Sequence, residues 1–415
     1  MEPTTTGARQ IFRSLTLVRI FATSIGICLF LTGCINVALA DTGKSSSTSN
    51  MTNSGMITTM KLLRENDTVL IDGIRAGERD TSPYPQGLSI ILQYLGHKDA
   101  DYIRMMGYSG MAFTLQIDLT GPIREGVYDV AWWPNDCWAF DMRLPFISKA
   151  FGRELTKFGG DPVRFGKDLK SQYHALFEPV IIKSVENGRP LLGQRDAARI
   201  ITGYDKANST AIGIWPTPGQ PVFGDSEEGY PWGLIQPGNK IKAISQKEAE
   251  LESLRWAVAL WEDTAVASMP SGKLARPHIK GNPAKMLLTG KKAYAKWLEL
   301  LQGQAEGIGP GRNAWDQNII IHLRYNRTAA VNYLTNVAKR QPEAMAHHLR
   351  KAADLYQKVL DDTANAPFWS QFGNNPDIRP QKLREYTEMI RRIAKLEARA
   401  IAEIKLAIPG SSAIH

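Results

Sequence analysis

Apolar residues recur at two different periods along this 415-residue chain, and the change from one to the other divides it. Leu88, Ile91, Leu92 and Leu95 stand at i, i+3, i+4 and i+7, which places one apolar stripe on a helix; Ser82 before Pro83 marks its start and Gly96 its stop. Asp101 to Met106 predicts a second short helix. It runs into Gly107-Tyr-Ser-Gly110, whose glycines permit a sharp turn, and then into a strand over Met111 to Ile117. Ser171 to Asn187 predicts a helix closed by Gly188, with Pro179 as a kink or a new start. Arg189 to Gly193, Ala197 to Tyr204 and Thr210 to Trp215 predict short strands, the last two joined by a polar turn at Asp205 to Ser209.

From Ser245 the period changes to that of long helices: Ser245 to Ala267, Gly290 to Gln302, Asn313 to Lys339, Pro342 to Asp361 and Pro380 to Leu406. Tyr294, Trp297, Leu298 and Leu301 keep one stripe, and Leu383, Tyr386, Ile390 and Ile393 another, so the pattern predicts an antiparallel bundle without further strands. The turn-rich run Gly219 to Gly238 between the two regimes reads as a loop at a domain junction; its acids Asp225, Glu227 and Glu228 lack calcium-loop spacing. The expected architecture is therefore α+β over residues 61–240, followed by an all-α bundle over 241–415.

The amino-terminal end follows a different logic. Arg9, Arg13 and Arg19 precede a mostly apolar run from Ile20 to Leu31, the layout of a secretory leader over residues 1–40. The run ends Leu31-Thr-Gly-Cys34, similar to a bacterial lipobox, which implies lipidation of Cys34 and attachment to a membrane of the cell envelope through that anchor. Cleavage after Ala38-Leu-Ala40 would instead release a soluble secreted or periplasmic protein, and the residues are also compatible with an uncleaved leader or with a start at Met51, Met56 or Met60. Residues 41–60, rich in Ser, Thr and Asn, read as a flexible tether.

Composition narrows the function classes. With 43% hydrophobic and 22% charged residues the body has ample apolar mass for a core. The formal charge of +9 includes the leader's arginines, the remaining cations are scattered, and no nucleic-acid motif accompanies them, so no nucleic-acid partner is expected. Outside the leader and the lipobox only Cys137 is left, so no internal disulfide is expected. The adjacent His347 and His348 point to different sides of a helix, HExxH, CxxC and P-loop patterns are missing, and Gly107-Tyr-Ser-Gly110 is not a GxSxG elbow around Ser109. Neither a metal nor a cofactor is expected.

The run from Ser82 to Phe113, with Tyr94-Leu-Gly96 and Met106-Gly-Tyr-Ser-Gly-Met-Ala-Phe113, resembles bacterial proteins related to the N-terminal domain of butirosin biosynthesis protein H. Asn187-Gly-Arg-Pro-Leu-Leu-Gly193 followed by Ile201-Thr-Gly-Tyr-Asp205, and Gly311-Arg-Asn-Ala-Trp315 entering a helix with Arg324, Arg327, Ala329 and Ala330, extend the likeness. The resemblance implies a papain-like domain in which a buried helix packs on a small antiparallel sheet. A nucleophilic cysteine is implied at that helix's start and a histidine at the start of the strand ending in Gly-Tyr-Asp. Ser82 holds the first slot and Ala197 or Ala198 lies near the second, so the resemblance implies the scaffold without its thiol and base.

The densest candidate site is Tyr128 to Asp141, where Trp132, Trp133 and Trp138 surround Asp136 and Cys137; aromatic walls around few polar groups suit a small-molecule pocket, and equally a connection clamped onto the core. Ser82, Tyr84, Tyr204, Asp205 and Trp315 are further candidate ligand contacts, Trp315 either closing over the pocket or packing between helices. The expected function is binding of a small molecule, a peptide or a cell-wall fragment. The alternative is an amide hydrolase or acyltransferase that uses Cys137 together with a histidine such as His97 or His174.

Overall fold

In the computed structural model the residues described are 61–78, 81–118, 137–159, 171, 173–194, 198–216, 231, 233–267, 287–305, 317–367, 375 and 377–410. The first half holds β1 (Leu62–Glu65), β2 (Thr68–Ile71), α1 (Pro83–Tyr94), α2 (Tyr102–Ser109), β3 (Gln116–Asp118), α3 (Cys137–Phe151) and β4 (Arg153–Gly159). A π-helical turn, Tyr173–Phe177, leads into α4 (Glu178–Glu186), followed by β5 (Leu191–Gln194), β6 (Ala198–Asp205), β7 (Thr210–Ile214) and β8 (Gly233–Lys240). Then come α5 (Gln246–Trp261), α6 (Thr264–Ala267), β9 (Leu287–Thr289), α7 (Gly290–Ala305), α8 (Gln317–Ala338), α9 (Glu343–Thr363) and α10 (Arg379–Ala407). The fold is α+β, and none of the described helices is long and apolar enough to cross a membrane.

The main sheet is antiparallel, in the order β1-β2-β6-β5-β8-β4, with β7 along the other edge of β6. Helix α1 lies on it, with Leu88, Ile91 and Leu92 fully buried, and Gly87 brings its backbone so close that a Cβ would sit 2.4 Å from Leu192. The i, i+3, i+4, i+7 stripe thus does what its spacing predicts. In β6 the register slips between Ile201 and Gly203, which makes Thr202 a bulge and reverses the alternation beyond it. Tyr204 consequently shares a face with Ile201, away from Ile200 and α1.

Three expectations are corrected. Met111 to Ile117 is not one strand: Met111–Phe113 is a 3-10 turn, and only Gln116–Asp118 pairs, with β9. The carbonyls of Ala112 and Thr114 accept hydrogen bonds from Arg327 Nη1 at 2.9 and 3.2 Å, so a side chain from α8 takes the place of a neighbouring strand. Gly219 to Gly238 is not all loop, because Gly233 to Gly238 belongs to β8, which lies between β5 and β4. Its Pro237 is tolerated because β5 pairs only as far as Ile235. Strands do not stop at Ser245 either, since β9 pairs with β3 from about 170 residues upstream.

The apolar core crosses position 240. One cluster runs from Val69 on β2 through α1, α2 and the sheet to Tyr333 on α8 and Ile404 on α10. Gly107 on α2 allows this contact: a Cβ there would stand 2.3 Å from the Tyr333 ring. A second cluster, around Trp297, Tyr386 and Ile390, fills the bundle and includes Leu115 and Ile117 from the first half. Between the halves Arg327 and Glu397, both almost wholly buried, form a two-pronged ion pair, Nη2 to Oε2 at 2.7 Å and Nε to Oε1 at 2.5 Å.

Replacing Glu397 by Leu strands the buried Arg327 guanidinium and is expected to cost roughly 3–5 kcal/mol in urea unfolding; the Arg327→Met/Glu397→Leu pair should recover part of that loss. Acid should also weaken the fold. Burial pushes His322 on α8 down to about 4, and burial and the Arg153 guanidinium hold His97 below its usual value. Below pH of about 6.5 the unfolded chain takes up protons that the folded one refuses, so stability is full above that value and falls as pH drops toward about 4. Melting temperatures measured across this window should fall less steeply for His322→Asn than for the parent.

Candidate functional site

Beside α1 the structure holds a hollow of about 460 Å³. One wall is the polar flank of α1, where Gln86, Ser89, Ile90, Gln93 and Tyr94 follow helical spacing next to the apolar stripe. The segment from Gly73 to Glu78 forms the opposite wall and Asp101 and Tyr102, at the start of α2, close the end. Local chemistry holds these pieces in place. Asp101 caps α2 by accepting a hydrogen bond from the Arg104 amide at 2.8 Å. The Gly77 amide donates to the Pro216 carbonyl at 2.7 Å, and Ser89 Oγ donates to the Ala100 carbonyl at 2.6 Å.

Gln86 is 5% exposed, and its Oε1 has no hydrogen-bond partner among the described residues. A buried amide acceptor left without a donor costs about 1–3 kcal/mol. Its Nε2 lies against Gly77, where a Cβ would approach to 1.8 Å. Burial raises the phenols of Tyr94 and Tyr102, so both stay protonated at neutral pH. The hollow therefore offers amides, a hydroxyl and neutral phenols between two aliphatic side chains, Ile74 and Ile90, with Arg75, Glu78 and Asp101 at its rim. These groups suit hydrogen-bonded recognition of a small polar molecule.

The residues singled out from the sequence fare unequally. Ser82 caps the start of α1 with its backbone only: its amide donates to Tyr102 Oη at 2.9 Å, its side chain makes no capping bond, and the residue is wholly buried. Tyr84 is buried with its ring 6.3 Å from that of Phe140. Tyr204, beyond the Thr202 bulge, donates from its hydroxyl to Glu186 on α4, which also binds Arg64 of β1. Burial and that carboxylate push its phenol up to about 12, and Arg64 holds Glu186 below the usual carboxylate range. Tyr84 and Tyr204 are thus on opposite faces of the sheet and do not wall one cleft, because the bulge turned one of them over. Asp205 accepts from the Asn208 amide at 3.1 Å and closes the β6–β7 turn, a structural task.

Cys137 is the first described residue of α3, and its side chain, like Trp132, Trp133, Asp136, Trp315, Ala197 and Cys34, lies outside the described residues. Of the histidines proposed as its partner, His97 accepts from Arg153 Nε at 2.9 Å and His174 pairs with Glu178 at 2.9 Å. Ala198, the second residue near the histidine slot, is buried at the start of β6. Sequence reading missed Gln86, Ser89, Gln93 and Tyr102. The spacing of Gln86, Ser89 and Gln93 at i, i+3 and i+7 was the available signal, but a polar stripe on a helix ordinarily means solvent.

Gly77→Ala should drive a methyl group into the Gln86 amide and lower stability by about 1–3 kcal/mol, whereas Gly96→Ala, in open space, should act only through its left-handed backbone; chemical denaturation of both variants checks this. Comparison with known proteins leaves the chain without a family assignment: no family model matches it, and no curated protein matches it.

Proposed function

We propose that this chain is a cell-envelope protein, tethered through a lipid on Cys34, whose papain-like body binds a small amide-bearing molecule or short peptide without cleaving it. The buried, unpartnered Gln86 acceptor in the wall of the hollow carries this reading. A ligand N–H that displaces the Gly73 to Glu78 segment would supply the missing donor and turn a desolvation cost into recognition. A helix buried on an antiparallel sheet is the layout that the resemblance to butirosin-protein-H-related domains implies, and the buried Ser82 stands where the thiol would be. Soluble secretion instead of anchoring would leave the binding chemistry unchanged.

A second reading keeps the chain an amide hydrolase or acyltransferase. Its support is that Cys137, the one cysteine outside the leader and the lipobox, belongs to α3 and to the aromatic run Tyr128 to Asp141.

The test is a thermal-shift screen of short peptides and cell-wall fragments, with product analysis alongside. A hit should raise the melting temperature of the parent, and Gln86→Met should weaken its binding about tenfold or more, the worth of one buried hydrogen bond. Turnover that is lost on thiol alkylation or in Cys137→Ser would overturn the binding reading in favour of the second. Hits that bind Gln86→Met as tightly as the parent would remove the hollow as the site.

A further inference from the structure

Helices α9 and α10 run antiparallel, and their outer seam is tied at both ends. His348 Nδ1 meets Glu403 Oε2 at 2.7 Å at one end, and Arg392 Nε meets Asp362 Oδ2 at 3.3 Å at the other. Between these ties lies a groove of about 430 Å³ lined by Lys358, Asp361, Arg392, Lys395, Leu396 and Arg399, with Asp362 at its edge. Its two carboxylates are already engaged, Asp362 by Arg392 and Asp361 by Gln357 Nε2 at 3.0 Å. Lys358, Lys395 and Arg399 are exposed and take part in no ion pair among the described residues. Elsewhere on α10 Lys382 pairs with Glu385 and Arg391 with Glu388.

We propose that this groove is a binding site for a phosphate-bearing anion. Four cations stand against two carboxylates, which leaves an excess of two positive charges, the complement of a phosphate dianion. A forked guanidinium and two ammonium groups, coming from two helices, surround such an anion from both sides. The partly buried Leu396 lines the groove and gives the organic part of the ligand an apolar surface, and the volume exceeds what a bare phosphate fills. The phosphate could belong to the headgroup of an anionic phospholipid or to a soluble phosphate ester. The groove is separate from the hollow beside α1.

The test uses the full chain with Cys34→Ser, so that no anchor contributes to membrane binding. Isothermal titration with inorganic phosphate and glycerol 3-phosphate forms one arm, and co-flotation with phosphatidylglycerol vesicles against phosphatidylcholine vesicles forms the other. The Lys358→Gln/Lys395→Gln/Arg399→Gln protein is compared with a Lys247→Gln/Lys291→Gln/Lys339→Gln control of equal charge; all six side chains are exposed, so both should fold. Binding in either arm should weaken at least about tenfold in the groove variant and stay near the parent value in the control. Binding to the soluble phosphates assigns a soluble ester, and binding only to phosphatidylglycerol vesicles assigns a lipid headgroup. No binding in both arms, or an equal loss in the control, overturns the proposal.

Discussion

Two opposite charges shut away from water, Arg327 and Glu397, set the terms for much of this fold. Neither is tolerable alone in a low-dielectric interior, so α8 and α10 must hold them together. The guanidinium has a further N–H group to place, and it reaches the carbonyls of Ala112 and Thr114. That requirement pins the chain just after α2 against the bundle. Gly107 then lets α2 approach the Tyr333 ring, and Tyr333 in turn shares a hydrogen bond with Ser253 on α5. The sheet-bearing part and the helical part are joined by this chain of contacts, which is why a single core runs through both.

Further buried charges follow the same rule. Arg153, at the start of β4, donates to His97 and to the carbonyls of Gly238 and Leu95, tying the end of α1 to the sheet. Glu250 on α5 is surrounded by Arg340, Gln341 and Gln246. Arg143 lies between the rings of Phe146 and Trp256, with its charge 3.9 and 4.6 Å from their centres. Gln86 Oε1 is one of several buried polar atoms without a partner among the described residues, with both amide atoms of Asn326 and Nη2 of Arg143, and what distinguishes it is its place in the wall of the hollow; the three unpaired cations of the α9–α10 groove are distinguished by being gathered in one place.

The candidate site was only partly legible. The stripe of Leu88, Ile91, Leu92 and Leu95 and its stop at Gly96 are properties of adjacent residues, and they located α1 correctly. The polar stripe beside it has the same spacing, but whether such a stripe faces water or a hollow depends on the Gly73 to Glu78 segment, which spacing cannot place. Tyr204 illustrates the same limit. Simple alternation assigns it to the α1 face, and one extra residue at Thr202 moves it to the other, into the company of Glu186 and Arg64.

By itself, the sequence determined the elements whose signals are local: the start and stop of α1, the start of α2, whose helix runs on through Gly107 to Ser109 where a turn was expected and stops at Gly110, the strands and turn of the β6–β7 hairpin, and the long stripes of α7 to α10. Periodicity and turn chemistry act over a few residues, so they survive without knowledge of partners. Only the tertiary structure decided that Met111 to Phe113 turns where a strand was expected, that Gly233 to Lys240 form a central strand, that three residues at Leu287 pair with Gln116 to Asp118, and that the helical part shares the core of the sheet. Each depends on a group supplied from far away in the chain, whether an arginine seeking carbonyls, a strand edge lacking hydrogen bonds or a glycine making room for a ring, and such demands are met in space and leave no mark on neighbouring residues.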